Sequence, residues 1–345
     1  MFDVNDEQKT IDLLAVGNPI VDILVKTDDE FLKSLGFQKG TMNIITKSVA
    51  DKIFSLLEQL KKVDESNVST VSGGCAANVA ASISSFTGEA AFIGKLGKDD
   101  YGEMFLESLK ERGVKTDRLI RAYGGETGRC LVVVTPDGSR TMCTYVGSSC
   151  DIDGSEISDE LLSKTKVLFI SGFLWDCNEG AGAVSKIIKS AKEHKCKIAL
   201  SLADPLCVER YKTELLKVVE NDVDIFFANQ LEINTLLSSK SHAKSVKIMR
   251  NKYLRNDKIA VLTCSSDGAV IINKKGLTKV KGEKVDNIID STGSGAIFAS
   301  GFIFGQLKGL DIEKSAKLAN MAAAQSLKKL GARPIKPLSE LLSKL

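Results

Sequence analysis

From Lys166 onward, short apolar runs alternate with stretches of helical length, and this rhythm limits the possible folds more than any other feature of the chain. Runs at 167–170, 197–202, 225–228 and 259–263 are separated by helix-patterned residues 181–194 and 207–219. Two small-residue stretches, 296–307 and 312–330, close the chain as helices. Strands that are apolar without alternation must be covered on both faces, which is the signature of a mostly parallel sheet between helix layers. Residues 11–17 form a further buried strand, stopped at Gly17-Asn18-Pro19. Two segments break the rhythm. Residues 21–46 and 120–150 are hairpin-rich, and Pro136-Asp137-Gly138 supplies a turn between two β-patterned runs. The expected division is an α/β core of residues 1–22, 47–119 and 151–345, with a small β lid of residues 23–46 and 120–150.

Charge and cysteine usage remove several function classes. Lys plus Arg number 47 against 44 Asp plus Glu, a net charge of +3 that argues against nucleic acid or an anionic membrane as partner. No apolar run approaches the length of a membrane span, and the first ten residues lack a signal-peptide core. The eight cysteines are scattered without a C-x-x-C pair, so they read as small core residues of a reduced, cytoplasmic protein. Only His194 and His242 occur, both in polar segments where they read as solvated, which disfavours a Ser-His-Asp triad or a histidine metal centre.

Phosphate chemistry has better support. Asp290-Ser291-Thr292-Gly293-Ser294-Gly295-Ala296 follows a strand-like segment, 285–289, and opens a helix. Glycines at such a turn let main-chain amides face a ligand, and the helix dipole adds positive potential. The dinucleotide fingerprint fails because Phe298 fills its third small position, and no G-x-x-x-x-G-K-[ST] occurs. Elsewhere, Gly73-Gly74 with Asn78 allows close approach of a ligand bearing hydroxyls, or else only opens a helix. Asp22 lies at a strand end, where it accepts from a diol or caps a turn. Asn229 and Glu232 sit three apart at a helix start, either as a cap or as a hold on hydrated Mg²⁺. Phe173, Leu174 and Trp175 are either a slot for a flat base or plain core.

Taken together, these segments resemble the PfkB (ribokinase-like) family of sugar and nucleoside kinases over essentially the whole chain. Residues 72–78 through Gly94 and Gly102 look like its first signature and residues 290–301 like its second. Gly17-Asn18 with Asp22, Thr127-Gly128, and Asn229 with Glu232 also match. Trp175-Asp176, residues 204–210 and Gly331-Ala332-Arg333-Pro334 look closest to the adenosine-kinase-like branch. The resemblance implies a three-layer α/β/α fold with a β-rich lid, and ATP and Mg²⁺ as cofactors. It implies that Asn18, Asp22, Gly73, Gly74 and Asn78 hold sugar hydroxyls. Arg140 would neutralise the moving phosphate, and Gly293, Ser294 and Gly295 would form the anion hole. Asn229 and Glu232 would position Mg²⁺–ATP, and Thr263, Ser265 and Gly268 would line its phosphates and ribose, although the family more often has glycine where Ser265 stands. Asn320 would lie near the adenine, and Asp290 with Thr292 would bind a monovalent cation such as K⁺. The expected partners are a small nucleoside or sugar and ATP, with monomer and homodimer both open.

One position departs from the family pattern. An aspartate that serves as general base is expected directly after the second glycine, and Ala296 stands there. A methyl group takes no proton, and loss of a general base costs about 10²–10⁴-fold in rate while positioning persists. Either a base has been replaced, which would trap substrate, or the chain is by nature a weak kinase that acts as a binder or regulator. The expected parental activity is phosphorylation of the 5′-hydroxyl of a nucleoside, adenosine first, with a free sugar as alternative.

Overall fold

Alternate residues of the first strand serve two separate cores. Leu13 and Ala15 join one cluster, Leu14 and Val16 the other, and all four are fully buried. A strand with no exposed face must lie inside a layered α/β body. The computed structural model describes residues 8–63, 68–117, 120–121, 125–137, 140–177, 179–202, 204–255 and 257–345. Its strands in chain order are β1 (Ile11–Val16), β2 (Ile20–Lys26), β3 (Met42–Ile44), β4 (Val68–Ser72), β5 (Ala90–Ile93), β6 (Lys95–Leu96), β7 (Ile120–Arg121) and β8 (Gly128–Val134). They continue as β9 (Arg140–Tyr145), β10 (Thr165–Ser171), β11 (Lys197–Ser201), β12 (Ile225–Asn229), β13 (Ile259–Thr263), β14 (Ala269–Asn273) and β15 (Gly276–Val280).

Eight of them form one sheet in the order β15-β14-β13-β12-β11-β10-β1-β5. The sheet is parallel from β5 to β13, and β14 and β15 add an antiparallel edge. Helices cover both faces, giving the expected three-layer α/β/α arrangement. A smaller sheet runs β3-β9-β8-β2-β4. One of its faces packs on the helix Lys47–Val63 through Ile23, Val25, Leu131, Val133, Ile53 and Leu57. Its other face carries Ile20, Leu24, Cys130 and Val132. This sheet takes in 20–26 and 68–72, which the sequence division put wholly or partly in the core. The reason is pairing: β4 runs antiparallel to β2, from Val21 opposite Ser72 to Val25 opposite Val68.

The helix Ser294–Leu307 is apolar all round, so it is buried as a core rod rather than laid on the surface. Phe304 stacks on Phe86 with ring centroids 4.9 Å apart. Its neighbour Ile312–Ser326 approaches so closely that side chains are excluded at the contact. A Cβ on Gly301 would lie 2.7 Å from Ala319 Cα, and one on Gly305 would lie 2.6 Å from Ser315 Oγ.

Several local expectations are corrected. Residues 285–289 form no strand: the Ile289 amide donates to Leu327 O at 2.8 Å, at the end of the last long helix, instead of joining a sheet. The expected helix 207–219 is two helices, Pro205–Arg210 and Lys212–Asn221, because Tyr211 leaves helical dihedrals between them. The last long helix stops at Ser326, not 330. Cys150 and Cys177 are joined as a disulfide, so two thiols expected to be free are paired across 27 residues. His194 and His242 are half-buried rather than solvated; His242 Nε2 lies 3.7 Å from Cys264 Sγ. Gly138 in the expected Pro-Asp-Gly turn lies outside the described residues. No helix among the described residues is long and apolar enough to cross a membrane.

The glycine contact yields a paired test. Gly301→Val must push backbone against backbone and is expected to destabilise the protein by about 1–3 kcal/mol. Gly182→Ala, in the helix Gly180–Glu193 with open space around it, is expected to stabilise by about 0.5–1 kcal/mol. Urea denaturation of both variants measures the contrast.

Candidate active site

The residues that follow parallel strands converge at the carboxyl ends of the large sheet, where such sheets open a crevice. Asn18 and Asp22 come after β1, Phe173 and Asp176 after β10, Asn229 ends β12 and Thr263 ends β13. The crevice is roofed by Ile20, Cys130, Met142 and Thr144 of the small sheet and closed by Thr292–Ala296. Its volume is about 490 Å³. Gly74, Asn78, Arg140, Glu232, Gly293, Gly295 and Ala296 all line it, so the two glycine-rich segments share one cavity.

One part of this cavity presents unanswered acceptors. Asn18 Nδ2 donates to Ser149 O at 3.2 Å and lies 3.3 Å from Cys177 Sγ, which turns the amide and leaves Oδ1 buried without a donor. Asn78 Oδ1 is likewise buried and unpartnered. Burial, reinforced by the charge of Asp290 and opposed by Arg333, pushes the Asp22 carboxyl up to about 7. Gly73 must stay bare because a Cβ there would collide with that carboxylate. At Gly74, φ of +86 and the closeness of Asn18 O impose glycine. Buried acceptors without donors fit a ligand that brings hydroxyl protons.

The turn at 293–295 presents the complementary donors. Gly293 has φ +72 and lies so close to Ala332 that a Cβ would sit 2.3 Å from its methyl. The amides of Gly293, Gly295 and Ala296 find no backbone acceptor among the described residues, and all three residues line the cavity. They stand at the N-terminus of the helix Ser294–Leu307, where the dipole favours an anion. Ser294 itself donates its amide to Ser291 O at 3.3 Å, holding the turn, and does not line the cavity. Ala296 presents only its methyl, and no carboxylate stands at that position.

Asp290 ties these parts together. Its buried carboxylate accepts from Arg140 Nη1 at 2.9 Å, from the Thr292 amide at 2.8 Å and from the Gly331 amide at 2.9 Å. Arg140 also donates to Ser291 Oγ at 2.7 Å and Thr292 Oγ1 at 3.3 Å, so it clamps the small sheet to the turn. Oδ1 takes two of these bonds and Oδ2 one, so only Oδ2 keeps a lone pair for a cation. Beside it the Lys329 ammonium rests on Gly331 O at 2.7 Å and Arg333 O at 2.6 Å.

Asn229 and Glu232 realise the capping reading of their spacing. The Asn229 side chain accepts from the Glu232 amide at 2.9 Å and the Glu232 carboxylate accepts from the Asn229 amide at 2.9 Å, a capping box. Asn229 Nδ2 donates to Glu232 Oε1 at 2.6 Å, and both residues line the cavity. Burial pushes the Glu232 carboxyl up to about 8. Each carboxylate oxygen keeps a lone pair, so the pair fits Mg²⁺ held through water.

Three expected nucleotide contacts lie away from the cavity lining. Ser265 (φ +52) and Gly268 (φ +90) shape the turn between β13 and β14, and Gly268 packs on Val280 and Gly282. Asn320 is buried, and its Nδ2 donates to Lys281 O at 2.8 Å. Of the three apolar residues 173–175, Phe173 lines the cavity while Leu174 and Trp175 are core. Sequence reasoning gave no role to Cys130, Met142 or Thr144, whose only signal is the alternation along β8 and β9. It also missed the pair Asp176–Arg210, at 2.6 Å, although both segments stand out in the sequence.

The family model of pfkB family carbohydrate kinases matches residues 40–338. Adenosine kinase of Saccharomyces cerevisiae is 24% identical over 336 residues, covering 93% of this chain and 96% of its own length. The solved structure of adenosine kinase from Sinorhizobium meliloti is 31% identical, with a TM-score of 0.87 over 97% of this chain and 99% of that one. A probable sugar kinase from Rhizobium etli CFN 42 is 30% identical, with a TM-score of 0.88 over 97% of this chain and 98% of that one.

The raised Asp22 pKa fixes the sign of a pH effect. The unfolded chain loses this proton near 3.8, the folded chain near 7. The stability contributed by the retained proton is therefore full below about 4 and is lost as pH rises through about 7. Asp22→Asn is expected to be more stable than the parent at pH 8 and to gain less at pH 4. Denaturant titrations at the two pH values measure that difference, and equal shifts at both would contradict it.

Proposed function

The chain belongs to the pfkB family of carbohydrate kinases, a phosphotransferase family with alcohol acceptors that uses ATP, and on that footing we propose that it acts on the 5′-hydroxyl of a nucleoside, adenosine. The observation that carries this reading is the pairing of unanswered acceptors at Asn18 and Asn78, beside the buried Asp22 carboxyl, with amide donors at 293, 295 and 296 that find no backbone acceptor among the described residues, all in one cavity. A ribose diol satisfies the acceptors. A phosphoryl group satisfies the amides, which stabilise charge as it develops in transfer. Phe173 and the apolar underside of the small sheet, Ile20 and Met142, give a flat base a dry surface. Solved structures of an adenosine kinase and of a probable sugar kinase resemble the chain equally, so the preference for a nucleoside rests on that dry surface.

Arg140 holds the small sheet down on the turn and keeps a positive charge beside the amides. The sheet thereby acts as a lid that keeps water from the reacting groups. Asn229 and Glu232 would hold Mg²⁺ through water, and the bound ion would neutralise phosphate charge. Thr263 lines the same side of the cavity and meets the donor nucleotide there. With a methyl at 296, the acceptor hydroxyl is positioned but not deprotonated by a side chain at that place, so turnover is slow.

Two measurements bear on this. Ala296→Asp is expected to raise phosphoryl transfer to adenosine by about 10²–10⁴-fold in a coupled ADP-release assay; undetectable transfer in both chains would make the protein a binder or regulator. Thermal-shift titration is expected to show stabilisation by adenosine and little by ribose or fructose. A shift with a sugar alone would move the assignment to a sugar kinase.

A further inference from the structure

A second cavity, also of about 490 Å³, lies behind the catalytic turn, between the helix Asp100–Lys110 and the segment 329–335. Three cations line it: Arg112, Lys329 and Arg333. Arg333 is 4% exposed, stacked over the Phe105 ring at 4.6 Å. Its Nη2 donates to Gly73 O at 3.2 Å, but Nε and Nη1 are buried with no acceptor. Arg112 Nη1 is spent on Ser108 O at 2.9 Å and Ser108 Oγ at 3.2 Å, and its Nε is buried without an acceptor.

The acids nearby do not answer these donors. Glu111 reaches Arg112 only at 3.5 Å and points mainly to solvent, and Glu107 lines the cavity with no ion pair to either guanidinium among the described residues. Asp22 acts on Arg333 through space without a hydrogen bond. Burial, and then the charge of Arg112, push the Arg333 guanidinium down to about 9. Burial and Arg112 likewise push the Lys329 ammonium down. A buried guanidinium with idle N–H groups costs more than most proteins tolerate without a partner. The partner that answers idle donors from two arginines, and relieves their repulsion, is a compact oxyanion with acceptors in several directions.

We propose that this cavity binds a phosphate-class oxyanion between Arg112 and Arg333, either inorganic phosphate or the phosphoryl end of a phosphomonoester. The site is distinct from the amide turn, yet shares a wall with it. Gly331 donates to Asp290, Ala332 packs on Gly293, and Arg333 holds Gly73 from behind. An anion here braces the rear of both glycine-rich segments.

Calorimetric titration of the full chain with inorganic phosphate tests the site, run with adenosine and a non-hydrolysable ATP analogue filling the active-site cavity. One phosphate per chain is expected to bind still, and Arg112→Gln is expected to weaken it about tenfold or more. Without phosphate, Arg112→Gln is expected to unfold at the same or higher temperature, because it removes repulsion; a purely structural Arg112 would lower that temperature. A parallel titration with glycerol phosphate identifies the source: tighter binding than phosphate assigns a phosphomonoester, equal or weaker binding assigns the free anion. Phosphate binding that vanishes when the active site is filled, or is unchanged in Arg112→Gln, would overturn the proposal. The Arg112→Gln comparison needs no adenosine, so it stands even if the nucleoside assignment fails.

Discussion

A single buried carboxylate organises the functional end of this molecule. Asp290 gathers a guanidinium from the small sheet, an amide from its own turn and an amide from the segment beyond the last long helix. Three parts of the chain, at residues 140, 292 and 331, are thereby fixed to one point. Charge-assisted hydrogen bonds of this kind are short and strong, and burial makes losing any one of them expensive. The turn that follows can then keep its amides turned outward, because its own conformation is held by Asp290 and by the tight seat of Gly293 against Ala332.

The large sheet contributes position rather than chemistry. Parallel strands deliver their carboxyl ends to one rim, and the buried rod Ser294–Leu307 carries the turn to the same rim from below. The small sheet closes the space from above with an apolar underside. The cavity is therefore sorted by chemistry: acceptors where the sequence has Asn18, Asp22 and Asn78, donors at 293–296, and a magnesium-compatible pair at 229 and 232. The one component that does not fit this logic is the methyl of Ala296, which stands among groups suited to phosphoryl transfer but moves no proton.

Much of this was legible from residue order. Continuous apolar runs announced a covered parallel sheet, since the apolar pattern is a local property, whereas the joining of the two glycine-rich segments in one site came from the family resemblance. What escaped were features set by tertiary pairing. Residues 285–289 look like a strand by composition, but find their partner in Leu327 O. Residues 68–72 join the small sheet because β2 is beside them, which no spacing reveals. Cys150 and Cys177 meet only through folding, next to Asn18, whose amide they help to orient. Ser265, Gly268 and Asn320 matched a pattern, yet their local conformations serve the β13–β14 turn and the backbone at Lys281.

The most direct test is a crystal structure of the protein with adenosine and a non-hydrolysable ATP analogue. The account requires the ribose hydroxyls on Asp22, Asn18 and Asn78, with the terminal phosphoryl group of the analogue at the amides of Gly293, Gly295 and Ala296. Nucleoside density outside this cavity, or phosphates that leave those amides bare, would contradict it.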